Sequence, residues 1–217
     1  MGTAKKGRYH HGELRAALID AAIELIGQRG VRGFSLAEAS RRLGVTVAAP
    51  YKHFADRDAL LAAVAVRASE VLAAAVAAEV ADAVEPADQL AAAARGYVRC
   101  AATNRALFQA LFGAGLDKSR HPEIDRAAQP VADAFLTPAR ALAGADDAHD
   151  LTLAVVAVAH GHATLLLDGA FGPGPEAVDH AARRAAAVTR AVVQGRAAIR
   201  ESADPSGAGS GRPISSG

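Results

Sequence analysis

A chain of 217 residues with one cysteine, no tryptophan and a formal charge of +1 is 51% apolar but only 4% aromatic. That length allows a sizeable core, yet much of the apolar share is alanine, a helix former with little side chain to bury. The lone Cys100 excludes an intramolecular disulfide framework; there is no strictly alternating β-branched run, no charged-then-apolar leader and no apolar stretch of about 18 residues, so an all-α, soluble, cytoplasmic protein without a membrane partner is expected.

Residues 1–12 are basic and polar and read as a flexible arm. From Glu13 onward, Leu18, Ala22 and Leu25, with Ile19, Ile23 and Ile26, recur at helical spacing. They stop at Gln28-Arg29-Gly30, a cationic last turn followed by a glycine cap. Ser35 and Glu38 form a capping box, which predicts a short second helix from about Leu36 to Leu43, where Gly44 can adopt a left-handed turn. Thr46 is placed to cap a third short helix through about His53, and Asp56 begins a longer fourth reaching about Val84. Pro86 suits the start of a helix to about Ala102, and Asn104 the cap of another carrying Leu107, Phe108, Leu111 and Phe112. After a loop over 113–122, helices are expected over roughly 123–143, 148–167 and 176–200, the last entered through Gly172-Pro173-Gly174-Pro175. The Gly/Ser/Pro-rich residues 202–217 cannot pack a core and read as a disordered tail.

The near-zero charge conceals an asymmetry. Within residues 1–57 ten Lys/Arg oppose five acids, leaving +5, so the remainder carries −4. A basic head on an acidic body suits a protein that touches phosphates at one end. That head holds a capped short helix, a glycine turn and a second short segment, the order of a helix-turn-helix. Ser40 is the small residue that lets the two elements cross closely. The second element of such a motif enters the major groove and presents its N-terminal residues to base edges. Here these are Thr46, Val47, Ala48 and Ala49, small groups suited to thymine methyls and to DNA shape.

The run Gly44-Val45-Thr46-Val47-Ala48-Ala49-Pro50-Tyr51-Lys52-His53-Phe54, followed by Asp56-Arg57-Asp58-Ala59-Leu60-Leu61, resembles the TetR family of regulators, and the resemblance covers about residues 13–61. It implies an N-terminal three-helix helix-turn-helix (13–56) and a C-terminal helical ligand-binding and dimerisation part (57–201). It further implies that Ser35, Thr46, Val47, Ala48, Tyr51, Lys52, His53 and Arg57 face DNA, while Phe54 locks the recognition helix in place. Pro50 departs from the family pattern, which more often has a branched apolar residue there; Ala39 replaces a larger aliphatic. The cluster Lys5, Lys6, Arg8, Tyr9, His10 and His11 reads equally as a backbone- or minor-groove-tracking arm and as a solvated one.

In the body, Tyr97, Phe108, Phe112, Phe135, His160 and Thr164 are the few large or polar groups on otherwise Ala/Leu/Val helices, and form the candidate pocket for a small, largely apolar effector. His160-Gly161 resembles a subgroup with a His-Gly pair in its penultimate helix. Val178, Ala182, Ala185, Val188, Val192 and Ile199 form a stripe fit for a homodimer seam. No catalytic, metal or cofactor constellation emerges. The expected function is a ligand-responsive repressor acting as a homodimer on a pseudo-palindromic double-stranded operator. The rival is a helical small-molecule-binding protein or enzyme with a vestigial helix-turn-helix.

Overall fold

The computed structural model describes residues 11–196, among which are seven α-helices and no strand. The basic cluster up to His10, the expected end of the last helix and the tail from Ser202 lie outside the described residues. α1 (His11–Arg29) buries Leu18, Ala22, Leu25 and Ile26 along one face, the face that the apolar spacing marks. α2 (Leu36–Leu43) opens at Ser35, whose hydroxyl accepts the Glu38 N–H at 3.2 Å. It closes at Gly44, φ 67°, a left-handed conformation that glycine adopts without steric cost. The Glu38 carboxylate is drawn to Arg41 and Arg29.

The third expected α-helix does not form. Residues 47–49 make a turn and Pro50–Lys52 a single 3-10 turn, held by Ala49 N–H to Thr46 O (3.0 Å) and His53 N–H to Pro50 O (2.8 Å). Pro50 is the physical reason. Were Val47 the first helical residue, residue 50 would supply the first N–H returning four residues back, to Thr46. Proline has none, and its ring crowds that same carbonyl.

α3 (Arg57–Val80) begins at Asp56, whose carboxylate accepts the Ala59 N–H at 2.8 Å. α4 (Pro86–Thr103) starts on its proline. α5 (Arg105–Gly113) is not capped by the Asn104 side chain as expected; that amide donates backwards to Cys100 O (3.2 Å) and closes the end of α4. α6 (Pro122–Leu167) is interrupted at Gly144 (φ 78°, ψ 178°), so the two helices expected on either side of residues 143–148 meet in a kink. α7 (Pro175–Gln194) follows the glycine-proline connector.

Two cores result. One joins α1, α2, Phe34 and Phe54 to Leu60, Leu61 and Val64 of α3 and to Leu107 and Ala110 of α5. The other packs Leu72 and Val76 of α3 with α4, α6 and α7, around Tyr97, Val98, Phe135 and Val155. Gly96 sets the spacing between α3 and α4: a Cβ there would lie 3.0 Å from Ala75 O and 3.1 Å from Val76 Cα. α5 stands between the cores, with Leu107 and Ala110 in the first and Phe108 packed on the second.

Part of the stripe on α7 read as a dimer seam turns inward, while Val178 and Val188 are half-buried. Ala182 and Ala185 are fully buried in the body core and Val192 packs against it; Ile199 is outside the described residues. Periodicity identifies an apolar face but not the neighbour that covers it, and here α4 and α6 of the same chain do. On α6, Leu153 is 61% and Leu165 50% exposed. α3 and α6 are long and apolar enough to cross a membrane by length and composition alone; half of the apolar window in α3 is buried inside the fold.

Candidate nucleic-acid interface and effector site

Five of the eight residues expected at DNA form one outward patch. Thr46, Val47, Ala48, Tyr51 and Lys52 are exposed on the turn and 3-10 segment after α2, while Pro50 and Phe54 hold that segment down from beneath. Tyr51 supplies a phenol and Lys52 an ammonium that forms no ion pair among the described residues, donors suited to phosphate oxygens. The patch is carried by a tight crossing: buried Ser40 donates to Leu36 O (2.9 Å), and Val45 N–H donates to Ser40 O (3.1 Å).

The other three sit differently. Ser35 is half-buried, with its hydroxyl occupied as the α2 cap. His53 is half-buried at the edge of a cleft of about 610 Å³ between α1, α3 and the start of α6. Arg57, expected to meet phosphate, points back into the head. Its Nε donates to Phe34 O (3.2 Å), its Nη2 to Val31 O (2.6 Å), and the guanidinium carbon lies 5.7 Å from the Phe34 ring centre. Arg57 therefore braces the segment between α1 and α2. Arg15, which the sequence reading did not single out, lines the same cleft and covers the Phe54 ring at 5.2 Å. Its position on α1 carries no local signal that Phe54 will fold beneath it.

In the body, four of the six expected pocket residues converge. The Tyr97, Phe108, Phe112 and His160 rings are mutual neighbours, with centroids from 4.8 Å (Phe108–Phe112 and Phe112–His160) to 6.3 Å (Tyr97–Phe112). The Tyr97 hydroxyl lies 3.0 Å from His160 Nδ1. Phe135 stands apart from the four rings, fully buried in the body core. Thr164 is exposed on α6. Beside Phe108, Cys100 and Asn104 there is a void of only about 10 Å³, room for about one water. Burial pushes the Cys100 thiol up, out of reach of thiolate chemistry at neutral pH. Among the described residues no three His, Cys, Asp or Glu side chains converge on a metal position.

Burial also lowers the His160 pKa below the usual imidazole range, so the ring is neutral at pH 7. The unfolded chain takes up a proton near its ordinary pKa of about 6.5 and the folded chain does so only at lower pH. Stability attributable to this group is therefore complete above that value and declines as pH falls from it toward the folded pKa. In urea unfolding between about pH 7.5 and 5.5, the midpoint is expected to fall more for the native protein than for His160→Phe. Equal pH slopes would refute this.

Residues 18–64 match the profile of bacterial regulatory proteins of the tetR family, and residues 90–189 that of the tetracyclin repressor-like C-terminal domain. The chain belongs to the TetR family. A protein of unknown function from Rhodococcus sp. RHA1 shares 31% identity with this TetR-family chain and superposes with a TM-score of 0.71, over 86% of this chain and 98% of its own. Two more distant structures share the fold. One is a bacterial regulatory protein in the tetR family from Rhodococcus RHA1, at 20% identity and a TM-score of 0.65 over 88% and 98% of the two chains. The other is the TetR family transcriptional regulator PfmR from Thermus thermophilus, at 17% identity and 0.61 over 81% and 96%. No curated protein sequence matches the chain. The family gives the chain the fold of a DNA-binding transcriptional regulator; the head lies in the match over 18–64 and the four rings lie within the match over 90–189.

Proposed function

We propose that this TetR-family protein is a ligand-responsive repressor that binds a pseudo-palindromic operator as a cytoplasmic homodimer. The observation that carries the reading is the exposed patch of Thr46, Val47, Ala48, Tyr51 and Lys52, raised on a braced head and backed by buried Pro50 and Phe54. Apolar groups and donors side by side suit a surface that meets base edges and phosphates together. The exposed Leu153 and Leu165 on α6 give a second copy of the chain apolar surface to cover. A two-fold dimer would set two recognition segments about 34–36 Å apart, one helical turn of DNA. Effector control needs only about 1–3 kcal/mol of coupling to shift operator affinity about 5–150-fold.

The test is selection from a pool of random duplex DNA at two salt concentrations. Enrichment of an inverted repeat, bound by two protomers, is the expected result. Weak binding without an enriched sequence would leave only phosphate attraction and would end the reading.

A further inference from the structure

The recognition segment is short of reading groups. Pro50 leaves a turn and a single 3-10 turn in place of a full helix. Of its outward residues, Val47 and Ala48 have no hydrogen-bonding side chain and Thr46 has only a hydroxyl. The folded head is also short of uncommitted charge. Seven Lys/Arg lie from Arg15 to Arg57. Arg29 and Arg41 pair with Glu38, Arg42 with Glu24, Arg57 holds the Val31 and Phe34 carbonyls, and Arg15 covers Phe54. That leaves Arg32 and Lys52, which have no side-chain partner among the described residues.

The three other cations of the basic head, Lys5, Lys6 and Arg8, precede α1, and no acid occurs before Glu13. The course of α1 fixes where that stretch is attached. Arg15 lies 5.2 Å from the centre of the Phe54 ring, which underlies the recognition segment. Toward the other end of α1, a Cβ on Gly27 would lie 3.5 Å from Ala106 of α5. The helix thus runs from beside the DNA-facing patch toward the body, and its first residue, His11, is about one turn, ~6 Å, from Arg15. Residues 1–10 are therefore attached at the recognition segment's end of the head and not at the body's.

We propose that residues 1–10 are a second DNA-reading element, with Arg8 in the minor groove over A·T pairs beside each half-site and Lys5 and Lys6 on the phosphates that border it. The inference rests on reading the head as the operator-binding part. Arg8 is three residues ahead of α1, about 10 Å of extended chain. With its long side chain it spans the phosphate strand between the major groove and the adjoining minor groove. Runs of A·T pairs narrow that groove and concentrate negative potential in it, and a guanidinium gives up water more readily than an ammonium. The amino group of a G·C pair stands in the same groove and obstructs it. Selectivity that the small side chains of the recognition segment do not supply is thereby added at pairs they never touch.

The experiment is selection from random duplex DNA with the full chain and with its Arg8→Ala variant, followed by anisotropy on the selected operator. The native chain should enrich an inverted repeat with A·T pairs about five base pairs, half a helical turn, from the centre of each half-site. Arg8→Ala should enrich the same repeat without that preference. Exchanging those A·T pairs for G·C should weaken native binding about five- to tenfold. Exchanging them for inosine·cytosine, which lacks the minor-groove amino group, should not, and Arg8→Ala should bind all three duplexes alike. Lys5→Ala/Lys6→Ala should keep the flank preference and flatten the salt dependence by about two units of slope for each protomer bound.

The inference is overturned if Arg8→Ala keeps the flank preference, if inosine·cytosine behaves as G·C does, or if Lys5→Ala/Lys6→Ala leaves the slope unchanged. A native chain that selects an inverted repeat with indifferent flanks overturns the inference alone, because the arm then at most follows phosphates. Failure to select any sequence overturns the regulator reading and the inference with it.

Discussion

Replacing Tyr51 and Lys52 together by alanine is expected to weaken binding to a selected operator by roughly 100-fold, and to flatten the salt dependence by about one unit of slope. Both side chains are exposed on the recognition segment, and Lys52 has no ion pair to lose among the described residues. The fold should therefore be untouched, with a thermal midpoint equivalent to a change within about 0.5 kcal/mol. The two effects separate two roles. Loss of the ammonium removes a phosphate contact and changes the slope for every sequence, whereas loss of the phenol changes a contact fixed by its place on the segment. Fluorescence anisotropy on the operator and on a scrambled duplex, at two salt concentrations, reads both. Unchanged affinity and slope would show that this patch is not the DNA-binding surface.

The second large effect falls on stability. Phe135→Ala removes a fully buried ring from the centre of the body core and should lower the free energy of unfolding by about 3–5 kcal/mol in urea titration. The surrounding α4, α6 and α7 are too alanine-rich to collapse far into the cavity. Phe112→Ala, by contrast, trims a half-exposed ring at a helix end and should cost no more than about 1 kcal/mol. Similar losses from the two substitutions would contradict the assignment of one ring to the core and the other to a half-exposed helix end.

The contrast between these two phenylalanines shows where sequence reading stops. Phe112 shares α5 with Phe108 and Phe135 is the one phenylalanine on α6, and no spacing rule tells which of them is core. Local chemistry is legible: Ser35 caps α2, Gly44 turns left-handed, Asp56 caps α3 and Pro86 starts α4, because each depends on residues within a turn of itself. The patch around Tyr51 is legible for the same reason, through a compact motif. Pro50 is visible as a departure, but its consequence depends on which residue begins the helix, and one missing N–H at the first required bond turns an expected α-helix into a 3-10 turn. Arg57 escapes a local reading because its partners, the carbonyls of Val31 and Phe34, lie 26 and 23 residues away. The α7 stripe is apolar as its spacing indicates, but its neighbour is decided only by the packing of α4 and α6.

The shared helix α5 bears on how such a protein can be taken apart. Of the sixteen buried residues in the head core, seven come from α3 and α5, among them Leu60, Leu61, Val64, Leu107 and Ala110. A fragment cut after Phe54 would keep the DNA-facing patch but leave Leu18, Leu25 and Ile26 facing water on one side. The head is therefore not a detachable cassette: its folding is completed by α3 and α5. Grafting it onto another body means carrying the first turns of α3 and the inner face of α5 with it, and these two helices decide which bodies it can join.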